Sequence, residues 1–185
     1  QYATRVLTPI LEAFVQSYPE ANLEVFSDHR PQVLIDMLRD GKLDIILIEM
    51  PAQSEGGERL TRDELVWVCS QVHPVTQRTP LPLAVFPEGC YHRECAQSTL
   101  KDAGMNYRIA FGSQSRAGIL SAVRAGIGVG VLPRSTVEPD MMVIESSLPK
   151  LPKTNTTLFV AEQVNEAAQR LANTIREGAR DGLLH

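Results

Sequence analysis

YRIAFGSQSRAGILSAVRAGIGVGVLP, residues 107–133, is the stretch whose reading decides the fold. Tyr107–Phe111 is a run of strand formers that Gly112 breaks. Ser113 and Ser115 are residue types that cap helix N-termini, because their hydroxyls accept from backbone N–H groups left without an intrahelical acceptor. Arg116–Ala125 then reads as a helix, with Ile119, Leu120 and Val123 on one stripe. Gly126 stands where a left-handed residue ends a helix, a conformation glycine adopts without strain. Ile127–Leu132 is apolar and rich in β-branched residues, and Pro133 ends it. Strand, helix and strand with tight links make a βαβ unit, so the two strands are expected to be parallel.

A βαβ unit also says where a ligand would sit. In open α/β sheets the ligand lies beyond the carboxyl ends of the strands. Here that end is Phe111–Ser115, which is also the start of the next helix. Free N–H groups, the positive end of the helix dipole and two hydroxyls meet there, a chemistry suited to a small carboxylate or phosphate. The plainer reading, that Ser113 and Ser115 only cap the helix, stands beside it. Gly126, Gly128 and Gly130 follow the helix rather than precede it, so they are not a dinucleotide-binding fingerprint.

Outward from this centre, the first fifty residues read α-β-α-β. Tyr2–Tyr18 is an amphipathic helix with Val6, Leu7, Ile10, Leu11, Phe14 and Tyr18 on one face. Thr8-Pro9 has the pattern of a helix restart, and Pro19 a stop. Leu23–Phe26 reads as a strand, Pro31–Asp40 as a helix closed by Gly41, and Asp44–Ile48 as a strand covered on both faces. Pro51–Arg62 reads as a surface loop and Glu64–Ser70 as a strand. His73-Pro74 to Pro82 holds three prolines and reads as a passage into a second lobe, with His73 a linker residue. That lobe contains a strand at Leu83–Phe86, a helix at Cys90–Ala103 capped by Gly104, the central βαβ unit and a strand at Met141–Glu145. Leu148–Asn155 reads as a return linker, followed by a strand at Thr156–Ala161 and an amphipathic helix at Gln163–Ala179.

The chain has 185 residues, 43% hydrophobic and 22% charged, as in ordinary globular proteins. A formal net charge of −4 argues against nucleic-acid binding by this chain itself. No apolar run approaches the roughly 18 residues of a membrane helix. Three cysteines, an odd number, fit a reducing cytoplasm better than a disulfide framework. The chain begins at Gln1 rather than methionine, which reads as a fragment or processed product.

Four stretches together resemble the effector-binding domain of LysR-type transcriptional regulators. They are LTPILEAFVQSYPEANLEVF, VLIDMLRDGKLDIILIE, DELVWVCSQVHPV and the central 107–133 stretch. FPEGCYHRECAQSTLKDAG resembles one branch of that family. The resemblance implies an α/β, two-lobed fold like that of periplasmic solute-binding proteins (type 2), with two Rossmann-like lobes joined by two crossover linkers. Lobe I would be residues 1–70 plus 156–185 and lobe II residues 71–155. It implies an N-terminal winged helix-turn-helix outside this chain, and a bacterial, cytoplasmic regulator that is not an enzyme. Its partners would be a small-molecule effector held between the lobes, a second copy as homodimer or homotetramer, and DNA only through the missing domain, with no membrane contact.

The resemblance places a ligand-binding hydroxyl at Ser113, with Gln114 and Phe111 as neighbours. Arg93 follows the strand at 83–86 and could hold a carboxylate bidentately, or be a solvated arginine at a helix start. Glu49 ends the strand at 44–48. A carboxylate there disfavours an anion unless a cation such as Arg93 neutralises it, and could instead take an amine or hydroxyl.

Cys90 and Cys95 flank His92 and Arg93, and neighbouring cations lower a thiol's pKa. Peroxide-sensing members of the family carry a reactive cysteine in this loop, with a longer spacing to its partner than Cys90-x4-Cys95, so a redox role is an alternative reading. Cys90, His92 and Cys95 lack a fourth donor nearby, so no metal site is expected, and no cofactor. Two other classes compete. A transporter's solute-binding protein shares the fold; an enzyme would need a nucleophile–base pair, metal set or phosphate loop, and none has usable spacing.

Overall fold

The computed structural model describes residues 2–180. The chain divides into two compact units, Gln1–Arg62 with Asn155–His185 and Asp63–Thr154. It passes from one to the other within β2 (Glu58–Ser70) and β7 (Lys153–Val160).

In the first unit, α1 (Tyr2–Ser17) and α5 (Glu166–Arg180) cover one face of the sheet and α2 (Pro31–Arg39) covers the other. β7 lies between β1 (Ile45–Pro51) and β2. The alternation of side chains along β1 divides them between the two faces. Ile46 and Ile48 are buried with Leu34 of α2, while Ile45 and Leu47 pack against Ile10, Phe14, Leu171 and Ile175. This is the two-sided burial that the apolar run predicted. Arg170 of α5 donates to the Tyr18 hydroxyl at 2.8 Å, and Arg176 to Glu58 Oε2 at 2.6 Å. Val6, expected on the core stripe of α1, lies outside the residues whose side chains are described.

Three expectations fail in this unit. Leu23–Phe26 forms no strand: among the described residues it has no ladder partner, and Val25 and Phe26 are both more than half exposed. Pro9 does not restart a helix but lies inside the continuous α1. The segment expected as a loop up to Arg62 contributes Glu58–Arg62 to β2, with Leu60 packed in the core and Thr61 buried.

In the second unit, β2 pairs antiparallel with β5 (Gly130–Pro133) and with β6 (Met141–Val143). β3 (Leu81–Val85) pairs in parallel with β4 (Tyr107–Gly112). A parallel bridge between Leu83 and Val129 joins the two groups, made by Ala84 N–H to Val129 O at 2.9 Å and Val129 N–H to Pro82 O at 2.8 Å. The βαβ reading is therefore right in strand direction, but β3 lies between the two strands. Gly128 makes this approach possible: a Cβ there would meet Ala84 N and Leu83 C at 2.8 Å.

Again the sheet has two buried faces. Leu65, Trp67, Leu83, Val129 and Val131 face the helix α3 (Tyr91–Asp102); Val66, Val68, Ala84 and Leu132 face α4 (Arg116–Arg124). Trp67 is buried, and its indole N–H donates to Pro149 O at 2.8 Å, which fastens the 144–152 segment to β2.

Helices α2, α3 and α4 end in the same way. The glycine N–H bonds to a carbonyl three residues back, and the next residue's N–H reaches five back, a Schellman pattern. For α4 these are Gly126 N–H to Val123 O and Ile127 N–H to Ala122 O, both 3.0 Å; Gly104 and Met105 repeat them on Lys101 and Leu100. Gly126 (φ +67°) and Gly104 (φ +65°) share a left-handed conformation, but their surroundings differ. A Cβ on Gly104 meets nothing within 4 Å, whereas one on Gly126 would lie 2.6 Å from His73 Cβ and 2.8 Å from His73 O. Gly104→Ala should cost about 1–2 kcal/mol, the strain of an alanine in that conformation. Gly126→Ala should cost clearly more. Urea unfolding of both variants measures the difference, and equal losses would remove the His73 contact from the account.

Several carboxylates are held below their ordinary range by arginine side-chain hydrogen bonds. Arg30 acts on Asp28, Arg124 on Asp140 and Arg134 on Glu145. Below about pH 4 the unfolded chain takes up protons that the folded chain still refuses. The contribution of these groups is thus present above that range and is lost as pH falls through it. The urea midpoint should decline on acidification from about pH 5 to 3; a rise would contradict the assignment.

Candidate functional site

The carboxyl ends of β3 and β4 lie side by side, with Val85 opposite Gly112 in the parallel register. Ser113 N–H carries the ladder one step further, donating to Val85 O at 3.2 Å. The chain then turns into α4. Ser113 Oγ accepts the N–H of Ser115 at 3.1 Å, and Ser115, the N-cap residue, makes no side-chain capping bond. Neither serine therefore caps α4 in the usual way. Phe111 is partly buried against the Ile119–Leu120 cluster, while Gln114 is exposed beside it.

Arg93 sits in the first turn of α3, at the end of the loop that leaves β3. It is neither solvated nor loosely held, since its side chain is only 17% exposed. Its guanidinium donates to Phe86 O at 3.3 Å, Gln97 Oε1 at 3.2 Å and Glu88 Oε1 at 3.3 Å. Gln97 in turn donates to the Tyr107 hydroxyl at 3.3 Å, which ties α3 to β4. The Glu88 side chain is 90% exposed, so among these partners it is the one an incoming carboxylate could replace at least cost.

The structure thus gathers Phe111, Ser113, Gln114 and Arg93 around the paired ends of β3 and β4. Glu49 belongs to the other unit. It lies inside β1, partly buried, rather than at the end of a strand as expected. Sequence reading missed Gly118, whose lack of a side chain leaves room for Ser113, and the Gln97–Tyr107 pair. The only signal for Gly118 was a glycine inside a short helix, where alanine would be the better former.

Cys69, Cys90 and Cys95 are buried thiols outside any disulfide among the described residues. Burial pushes the Cys95 thiol up, against the smaller opposite effect of a hydrogen bond from Tyr91, and burial also pushes Cys69 up. For Cys95 this is the reverse of the lowering expected from neighbouring cations: burial is the largest cause, and Glu94 and Cys90 add to it. Among the described residues no group of three or more His, Cys, Asp or Glu is placed to hold a metal ion, and no helix is long and apolar enough to cross a membrane. Two cavities stand apart from the expected residues. One of about 470 Å³ lies in the first unit beside Tyr18, Pro19 and Arg170; one of about 250 Å³ lies in the second beside Trp67, Arg134 and Glu145.

Comparison with known proteins gives the same direction from three sides. Residues 1–180 match the LysR substrate binding domain. The chain is 30% identical over 159 residues to the HTH-type transcriptional regulator DgdR of Burkholderia cepacia, covering 85% of this chain and 54% of that protein. It spans about half the length of the curated relatives it matches. Among solved structures it is similar to the CcmR regulatory domain of Synechocystis PCC6803 in complex with 2-PG, with a TM-score of 0.71, 16% identity and coverage of 95% of this chain and 92% of that one. The effector binding domain of QuiR in complex with shikimate gives a TM-score of 0.67 at 14% identity, covering 95% and 90%. The fold class is accordingly the α/β, periplasmic-binding-protein-like one expected from the sequence. With the family match running through nearly the whole chain, the protein belongs to the LysR family of transcriptional regulators, of which this chain is the substrate binding domain.

Proposed function

We propose that this chain is the effector-sensing and self-associating part of a longer, cytoplasmic LysR-type regulator. The regulator would bind DNA through an N-terminal domain outside the chain, assemble as a homodimer or homotetramer, and catalyse no reaction. The observation that carries the proposal is the rim formed by the ends of β3 and β4. There the Ser113 hydroxyl and the N-terminus of α4 follow the end of β4, and the Arg93–Glu88 pair follows the end of β3 beside it. That chemistry suits a small molecule with carboxylate or phosphate oxygens. Structural relatives in complex with 2-PG and with shikimate support a small-molecule effector. An effector that binds one conformation better than another shifts the population toward it, and the shift reaches DNA only through the attached domain.

The test is calorimetry of the chain against a panel of small carboxylates and phosphates that begins with 2-PG and shikimate. For a member that binds, Ser113→Ala should weaken affinity about tenfold, the loss of one hydrogen bond to a charged group. Unchanged affinity would move the site elsewhere. With its net charge of −4, the chain alone should show no sequence-selective retardation of duplex DNA at physiological salt. A tight, selective shift in that assay would sink this division of labour.

A further inference from the structure

Gly118 is the third residue of α4 and has no left-handed backbone to explain it, since it is not among the glycines of positive φ. A glycine in an ordinary helical conformation weakens the helix relative to alanine. What the position provides is space. A Cβ built there would lie 2.5 Å from Ser113 Oγ, 3.0 Å from Ser113 Cβ and 3.8 Å from Cε1 of the Phe111 ring. Ser113 Oγ thus occupies the volume that any other residue at 118 would fill. In that place it accepts the Ser115 N–H. A hydroxyl has one hydrogen to donate and two lone pairs. One lone pair is taken by Ser115, and among the described residues its hydrogen has no acceptor.

We infer that Gly118 is a positioning residue of the proposed effector site: it holds Ser113 in the rotamer where Oγ is fixed by Ser115 N–H and its hydrogen is left to donate to an effector oxygen. The inference rests on the effector reading above and narrows it, because the effector then presents an acceptor, a carboxylate, phosphate or carbonyl oxygen, at Ser113. With alanine at 118, the closest contact, at Ser113 Oγ, is relieved by rotation of the Ser113 side chain about its own χ1, while Ser113 Cβ at 3.0 Å gives way by a small shift of the 113–115 turn. The rotation takes Oγ off the Ser115 N–H and re-aims the hydroxyl. The helix itself gains propensity from the alanine, so the fold should persist.

The experiment follows the Ser115 backbone amide by NMR in the isotope-labelled chain, together with 2-PG affinity by calorimetry. Ser113→Ala removes the acceptor and should shift the Ser115 amide resonance. Gly118→Ala should shift it in the same direction, while the melting temperature stays near that of the parent. In the double variant Gly118→Ala should add nothing to the displacement, and 2-PG affinity should fall about tenfold in either single variant and no further in the double. An unmoved Ser115 resonance in Gly118→Ala, or a further displacement in the double variant, overturns the inference and leaves the effector reading standing. A shifted Ser115 with 2-PG bound equally by the parent and by Ser113→Ala overturns the effector reading, while the Gly118–Ser113 contact stands.

Discussion

The second unit depends on two backbone hydrogen bonds, from Ala84 N–H to Val129 O and from Val129 N–H to Pro82 O. They turn a two-stranded pair, β3 with β4, and an antiparallel group, β2 with β5 and β6, into one continuous layer. Only then can α3 cover one face and α4 the other, each burying a row of alternate side chains. The closeness of the backbones is set by Gly128, where any side chain would strike the peptide between Leu83 and Ala84. The rim at Val85 and Gly112 is positioned by this join, because both strand ends inherit their place from β3.

The glycine-ended helices explain how so short a chain reaches its strands. Each of α2, α3 and α4 is 9 to 12 residues long, and each closes through a left-handed glycine that reverses the chain at once. Isolated helices of this length are marginal in water, so their stability comes from the apolar face they bury rather than from propensity. Gly126 is the tightest of these turns because His73 packs against it, while Gly41 and Gly104 have open space. After α3 the same geometry returns the chain to β4, whose end leads directly into the N-terminus of α4.

Much of this was legible from residue pattern, since it is local. Ile119, Leu120 and Val123 marked the buried face of α4, and Gly41, Gly104 and Gly126 marked helix ends; all lie as expected. What was misread depends on partners elsewhere in the chain. Leu23–Phe26 has strand-forming residues but no neighbour among the described residues, and a strand is defined by its ladder. Glu58–Arg62 looked like a polar loop, yet β7 runs beside β2 and draws it into the sheet. At the site, strand ends and hydroxyls could be read, but not the use to which they are put. Arg93 is anchored by the Phe86 carbonyl and by Gln97, partners that no spacing rule singles out. The same guanidinium was expected to activate the nearby thiols, and burial instead raises Cys95.

These findings change what the charges at the rim can do. A free arginine would attract any anion with little discrimination. Arg93 instead gives two of its contacts to the fold and one to Glu88, an exposed residue that makes a weak internal competitor. A carboxylate docked at Arg93, as proposed, would gain only the difference between its own contact and that of Glu88, so the ion pair would lower affinity for simple anions. Selectivity then falls on groups that Glu88 does not imitate: the Ser113 hydroxyl and the first-turn N–H groups of α4, both fixed in direction by backbone. A ligand that satisfies these as well as Arg93 gains where a bare anion does not. If the proposed effector binds at this edge, its recognition is governed by the placement of oxygen atoms more than by net charge.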